Sequence, residues 1–219
     1  MQPENIKLLK QEAQKLSLEL NENQLKRFEL YLNLIIEYNS KINLTAIKDE
    51  KGIVVKHFID SLAGAKFLGK GWFVADFGSG MGCPGLALKI AREDLKMILL
   101  ESNQKKVAFL NQVIRKLSLE NIKAIAQRVD DKMFQLVLAG QIDAVLARAF
   151  GKLDLIAKLA SPYLKKGGIV LAYKGPKAFE EVKQFKKEIE KNKLKLKDSF
   201  QFTFPDNMGE RIILVLKKS

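Results

Sequence analysis

Cysteine and histidine are almost missing from this chain: Cys83 and His57 are the only ones among 219 residues. A single cysteine excludes a disulfide framework, and the two together exclude a Cys/His metal cluster of recognisable spacing, so no metal and a reducing compartment are expected. Prolines number five and no low-complexity run occurs. With 47% hydrophobic and 29% charged residues, that composition excludes disorder and fibrous repeats. No run approaches the roughly 18 apolar residues of a membrane span, and the start, Met1-Gln2-Pro3-Glu4, lacks a basic-then-apolar signal pattern. A cytoplasmic protein with no membrane partner is the expectation. Acidic residues are in short supply, 25 against 38 basic ones, for a net charge of +13. Most of the excess is C-terminal, where residues 152–219 hold 16 basic and 8 acidic groups. Such a balance points to a polyanionic partner.

The length suits one domain, with or without an appended lobe. Over 1–70 the texture is helical: Leu25, Phe28, Leu32, Ile35, Ile36 and Asn39 recur at spacings of three and four. A polar interruption from Asn39 to Thr45 ends one helix, and Asp49-Glu50 suits the first turn of the next, which carries Lys56, His57 and Asp60. After Gly69-Lys70-Gly71 the pattern becomes short apolar runs alternating with amphipathic stretches, the signature of repeated βα units. The runs predict strands over 72–77, 96–101, 122–127, 142–147 and 169–174, and helices over 84–92, 103–117, 130–138 and 152–164. A Lys/Glu-rich helix over 177–192 and a hairpin, Leu194–Phe204 with Arg211–Leu216, complete the chain. The expectation is an α/β fold: a helical lobe, 1–70, and a doubly wound sheet domain, 71–219, closed by an antiparallel pair.

The first strand runs into Asp76-Phe77-Gly78-Ser79-Gly80-Met81-Gly82-Cys83-Pro84-Gly85, which opens a helix. Glycines there allow positive φ and close backbone approach to a ligand. Gly80, Gly82 and Gly85 satisfy G-x-G-x-x-G, which also occurs in dinucleotide sites. Asp76 discriminates between the two: a carboxylate two places before the first glycine repels a phosphate, whereas the cationic sulfonium and ammonium of S-adenosylmethionine (SAM) tolerate it. Glu101, ending the second strand, suits a ribose diol. Cys83 is expected against the cofactor site as a small side chain, and His57 as a packing or hydrogen-bonding residue.

Ligands of open α/β sheets bind at the carboxyl ends of the strands, and the residues there are basic: Lys105 and Lys106, Arg128, Arg148 and Lys174. They suggest a positive rim around the cofactor pocket. The lysines at 183, 186, 187, 191 and 193 are interleaved with glutamates and read as a solvent face.

Taken together, residues 38–46 (Tyr-Asn-Ser-Lys-Ile-Asn-Leu-Thr-Ala), 56–62 (Lys-His-Phe-Ile-Asp-Ser-Leu), 76–85, 105–110, Arg148-Ala149 and Lys174-Gly175 resemble the RsmG (GidB) family of bacterial 16S rRNA guanine-N7 methyltransferases over essentially the whole chain. The resemblance implies a class I SAM-dependent methyltransferase with a Rossmann-like seven-strand sheet whose last strand is antiparallel. Its implied reaction is methyl transfer from SAM, leaving S-adenosylhomocysteine, to N7 of a guanine in the 530 loop of 16S rRNA. The implied partner is 16S rRNA or the small ribosomal subunit, and a monomer is expected. SAM contacts are implied at Gly78, Cys83, Val129, Asp130 and Arg148, beside Asp76, Gly80 and Glu101. Attack by N7 needs no acid or base, so Arg148 is implied as a positioning residue rather than a proton carrier. The sequence departs from the family pattern at Cys83, where Phe or Leu is common, at Glu101 in place of Asp, and at Ala147 in place of Ser. The alternatives are another SAM-dependent methyltransferase acting on protein or a small molecule, a nicotinamide-dependent oxidoreductase, and a non-enzymatic RNA-binding module. Asn43, His57 and Asp60 either meet RNA or tie the lobe to the sheet.

Overall fold

A computed structural model describes all residues, 1–219. Helix α1 spans Pro3–Lys15 and α2 spans Glu22–Ile42. A reciprocal cap starts α2: the Asn21 side chain accepts from Gln24 N–H and the Gln24 side chain from Asn21 N–H, both at 2.9 Å. Asn43, at φ +48°, ends it in the left-handed region that asparagine tolerates better than most residues. Of the expected stripe, Phe28, Leu32 and Ile35 are fully buried, whereas Ile36 is 46% exposed and Tyr31 joins the core instead. Tyr31 and Phe28 both pack on Phe58, with ring centroids 5.2 and 5.1 Å apart. The next helix is continuous over 50–62 but not regular. Its first turn, α3 (Glu50–Ile53), leads into a π-helical turn, Val54–Ile59, and then α4, Asp60–Leu62. Such wide turns occur frequently at functional sites.

Seven strands follow: β1 (Phe73–Phe77), β2 (Lys96–Glu101), β3 (Ile122–Ala126), β4 (Ile142–Arg148), β5 (Leu164–Lys174), β6 (Leu194–Thr203) and β7 (Glu210–Lys218). They lie in the order β3-β2-β1-β4-β5-β7-β6, with β7 antiparallel to both neighbours. The expected hairpin is present, but its second strand inserts next to β5 and its first forms the edge. The reason is burial: Ile212–Leu216 of β7 is apolar throughout and buried on both faces, whereas β6 is exposed from Lys195 to Ser199.

The crossover helices are α5 (Gly85–Ala91), α6 (Gln104–Lys116), α7 (Lys132–Val137), α8 (Leu153–Ala160), α9 (Ala178–Gln184) and α10 (Lys186–Lys191). Two differ from the sequence expectation. The helix expected to reach 164 stops at Ala160 because Pro162 cannot continue it, which frees Leu164 to begin β5. The helix expected over 177–192 breaks into α9 and α10 at Phe185, φ −106° and ψ +20°. Lys183, Lys186, Lys187, Lys191 and Lys193 are exposed as expected.

Alternation along the strands distributes the core to the two faces. Ala75, Phe77, Ile98 and Leu100 pack with α8 to α10. On the other face Leu99 joins α1, α2, α5 and α6, while Val74, Leu146 and Tyr173 join the 63–68 segment. Asp76 projects toward this second face, beneath α2, which determines its surroundings.

Candidate active site

The turn after β1 is built from glycine for reasons visible at two positions. Gly78 has φ +65°, and a Cβ there would lie 2.9 Å from the ring of Phe150; Gly82, at φ +101°, would drive a Cβ into Leu86 and within 2.7 Å of the Tyr31 hydroxyl. Glu101 holds the turn open from the side: Oε2 accepts Gly80 N–H and Oε1 accepts Asn103 N–H, each at 2.9 Å. Beneath it, Asp76 is fully buried. Its Oδ2 accepts from Gly85 N–H at 3.1 Å, while Oδ1 is buried without any partner. Burial pushes the Asp76 carboxyl up to about 7, against the lowering effect of the Gly85 N–H.

Two cavities open at the carboxyl ends of the strands. The first, about 370 Å³, is lined by Gly78, Leu100, Ser102, Gln127, Arg128, Val129, Asp130, Phe150, Leu155 and Leu159. The second, about 470 Å³, is lined by residues including Lys56, His57, Arg148, Ala149, Phe150, Lys174 and Arg211. Phe150 lines both and so forms the wall between them. The residue before it but one, Arg148, ends β4, and Ala149 holds φ +52°, an unfavourable conformation for a residue with a Cβ that turns the chain sharply between the cavities.

The expected site residues are distributed unevenly over this geometry. Gly78, Arg128, Val129 and Asp130 surround the first cavity, and Arg148 and Lys174 the second. Arg128 is engaged with Asp130 through two bonds of 3.0 and 2.8 Å, and its guanidinium holds the Asp130 carboxyl below the usual range. Lys174 is likewise engaged, donating to Gly151 O at 2.6 Å and Glu181 Oε1 at 3.0 Å. Lys105 and Lys106 stand apart, in the first turn of α6, where Asn103 caps their backbone N–H groups. Cys83 differs from expectation: it lines neither cavity but is buried against α2, its sulfur 3.7 Å from the Tyr31 hydroxyl. Burial raises the thiol's pKa, so it stays an unionised, poor nucleophile.

What sequence reasoning missed is the assembly around Arg148. Asp60, with no exposed surface, accepts from Arg148 Nη1 at 3.0 Å and from Arg211 Nε and Nη2 at 2.7 and 2.9 Å. Arg148 Nη1 also donates to Lys56 O at 3.0 Å, on the π-helical turn. Its Nη2 lies 2.9 Å from His57 Nδ1. A guanidinium only donates, so Nδ1 is the acceptor and the proton sits on Nε2, which donates to Thr45 Oγ1 at 2.8 Å. Thr45 is fixed in turn by reciprocal bonds with Asn39 at 2.8 and 2.9 Å. Burial, reinforced by Arg148 and Arg211, lowers His57 to about 3, so it is neutral at physiological pH. Here His57 and Asp60 tie the helical residues to the sheet, one of the two roles open from sequence. Arg211, polar at the start of an otherwise apolar strand, was the available signal for the third member.

The geometry fits SAM on its own terms. A turn with no room for a Cβ at Gly78 or Gly82, a carboxylate oxygen buried without a partner behind it, and a cavity beside Gly78 with both apolar walls and polar groups at Val129 and Asp130 suit a nucleoside bearing a cationic chain. Of the residues expected to hold it, Gly78, Val129 and Asp130 line the first cavity, whereas Asp76, Gly80 and Glu101 line neither, and both Glu101 oxygens already accept backbone N–H groups. No group of His, Cys, Asp and Glu is arranged to hold a metal ion, and no helix is long and apolar enough to cross a membrane.

The sheet order with its single antiparallel strand, and a glycine cradle after the first strand, define a class I SAM-dependent methyltransferase. M. jannaschii TYW2 in complex with AdoMet shares the fold at TM-score 0.59 and 19% identity, covering 78% of this chain and 77% of that one; YcgJ of Bacillus subtilis does so at 0.58 and 11%, covering 74% and 99%. Residues 24–206 match the family described as rRNA small subunit methyltransferase G, and the chain belongs to that family. Ribosomal RNA small subunit methyltransferase G of Lachnoclostridium phytofermentans is 39% identical over 205 residues, covering 93% of this chain and 85% of the relative. That of Desulforamulus reducens is 41% identical over 212 residues, covering 96% and 88%. The resemblance drawn from the motifs is borne out, as are the enzyme class, a SAM-dependent rRNA methyltransferase, and the fold and cofactor it implied.

Proposed function

We propose that this enzyme methylates N7 of a guanine in the 530 loop of 16S rRNA, acting in the cytoplasm as a monomer, with the 1–70 lobe and the 71–219 domain enclosing the reaction between them. The observation that carries the reading is the pair of cavities divided by Phe150, with Arg148 held rigidly at the mouth of the second. SAM, when bound, supplies an electrophilic methyl group on a sulfonium. Asp76 Oδ1 offers the cationic end of the cofactor its counter-charge, Glu101 keeps the glycine turn open, and Val129 with Asp130 meets the adenine. On the far side of Phe150, Arg148 positions the guanine. N7 carries an exposed lone pair, so no residue has to remove a proton. That agrees with the one histidine being neutral and engaged at both ring nitrogens. The rate advantage comes from holding the reacting atoms about 3–3.5 Å apart and aligned.

The direct test is transfer of labelled methyl from SAM to small ribosomal subunits that lack native N7 methylation, mapped by borohydride–aniline cleavage at N7-methylguanine. A single cut in the 530 loop is expected. Label at another base, or at no RNA at all, overturns the assignment.

Asp76 gives the cofactor site a pH dependence with a definite sign. Its carboxyl is raised to about 7, so it is neutral below that pH and anionic above. Affinity for a cationic ligand therefore rises as pH climbs through 7 and levels off beyond it, by at most about tenfold per pH unit below the midpoint. Calorimetric titration of SAM from pH 5.5 to 8.5 checks this, with Asp76→Asn expected to bind about tenfold more weakly at pH 8 and to lose the pH dependence. A flat profile in the unmodified enzyme removes Asp76 from the site.

A further inference from the structure

Four cations line the second cavity, Lys56, Arg148, Lys174 and Arg211, and three of them are already committed. Arg148 and Arg211 share Asp60, and Lys174 is paired with Glu181 at 3.0 Å. Lys56 is different. Its backbone carbonyl is fixed by Arg148, while its half-buried side chain meets no carboxylate and makes no hydrogen bond within the protein. A third cavity, about 410 Å³, lies next to this one on the helical lobe, between the end of α2 and the 43–48 segment, and Ile47 lines both. Its walls carry Asn43 and Lys48, neither of whose side chains has a partner in the protein, alongside the exposed apolar surface of Ile36. Asp49 and Glu50 are directed elsewhere, Asp49 to Gly52 N–H and Glu50 to Gln2 N–H and Asn5, and no carboxylate lies within ion-pair distance of the Lys48 ammonium.

We propose that a single-stranded RNA segment flanking the target guanine leaves the second cavity, crosses Ile47 and lies in this lobe groove, with Lys56 and Lys48 binding successive stretches of its phosphate backbone. This rests on the function proposed above. Unstacked RNA presents both phosphates and base edges. A track with two uncommitted ammonium groups, an amide at Asn43 and an apolar floor answers each of these, whereas the paired Arg128 and Lys174 would first have to give up their carboxylates.

The test is steady-state methyl transfer to unmethylated small ribosomal subunits at several salt concentrations. The Lys48→Gln/Lys56→Gln double variant is expected to raise the KM for subunits about tenfold and to reduce the slope of log(1/KM) against log salt by about 1.4, two single-strand phosphate contacts. Its affinity for SAM should match the unmodified enzyme, and Lys48→Arg/Lys56→Arg should restore KM. Lys186→Gln/Lys187→Gln, on the exposed face of α10, should leave KM and slope unaltered. An unchanged KM and slope in the double variant overturns the track, and so does a fall in kcat at constant KM, which would report a disturbed Arg148. If Lys56→Gln compromises folding, Lys48→Gln alone should still lower the slope by about 0.7, and an unaltered slope there is equally decisive. Failure of the unmodified enzyme to label the subunits at all overturns the proposed function itself, a result distinct from loss of the track alone.

Discussion

Replacing Asp60 with alanine is expected to lower the unfolding free energy by about 3–5 kcal/mol, the cost of breaking a buried ion pair by removing one partner. Three hydrogen bonds from two guanidinium groups converge on a carboxylate with no exposed surface. The side chains of Arg148 and Arg211 remain 12% and 22% exposed, so partial rehydration places the result toward the lower end of that range. For a chain of this size it corresponds to a fall in Tm of roughly 10 °C. Methyl transfer should fall more steeply than stability alone accounts for, because Arg148 loses the anchor that aims it. Asp60→Asn keeps the shape and an acceptor and should cost less. Denaturant unfolding with intrinsic fluorescence checks the ranking, and a loss below about 1 kcal/mol for Asp60→Ala would mean that the cluster does not hold the 50–62 helix to the sheet.

Gly78→Ala is expected to weaken SAM binding about 30-fold, near 2 kcal/mol, while the protein remains folded. The comparison that isolates the cause is Gly71→Ala. Both glycines hold nearly the same conformation, φ +65° and +72°, yet a Cβ at Gly71 meets nothing within 4 Å whereas one at Gly78 lies 2.9 Å from Phe150. The backbone strain is thus common to both, about 1 kcal/mol in stability. Only Gly78→Ala displaces the aromatic wall between the two cavities. Equal SAM affinities in the two variants, measured by calorimetry, would remove Phe150 and the glycine turn from cofactor recognition.

The parallel strands were legible because each is a short apolar run bounded by turn residues, and the glycine turn because its spacing places flexible backbone at a strand end. The charge of Asp76 set this turn apart from a phosphate site in the sequence, but its complete burial beneath α2 was not visible there. Nor was the Arg148 cluster, since it joins Asp60 to residues 88 and 151 positions away, and nothing local marks such a pairing. For the same reason the basic residues at the strand ends looked alike in sequence. Only the fold shows that Arg128 and Lys174 already have carboxylate partners, whereas Lys56, read only as part of a motif, has none. The π-helical turn that sets the Lys56 carbonyl against Arg148 has no composition signature, because Val-Val-Lys-His-Phe-Ile would suit an ordinary helix equally well. The place of β7 inside the sheet depended on a comparison of two apolar runs, in which its burial on both faces was decisive.

The Tyr31 hydroxyl donates to Met81 O at 2.6 Å, so a residue of the N-terminal helices supports the glycine turn from below. Order in α2 and order in the turn are therefore thermodynamically linked. A ligand that binds only the ordered turn also protects α2, by no more than the bond itself is worth, about 1 kcal/mol. Reciprocity then requires that whatever steadies α2 from outside tightens the hold on that ligand by an equal factor. One tyrosine hydroxyl thus couples occupancy of the glycine turn to the order of an N-terminal helix.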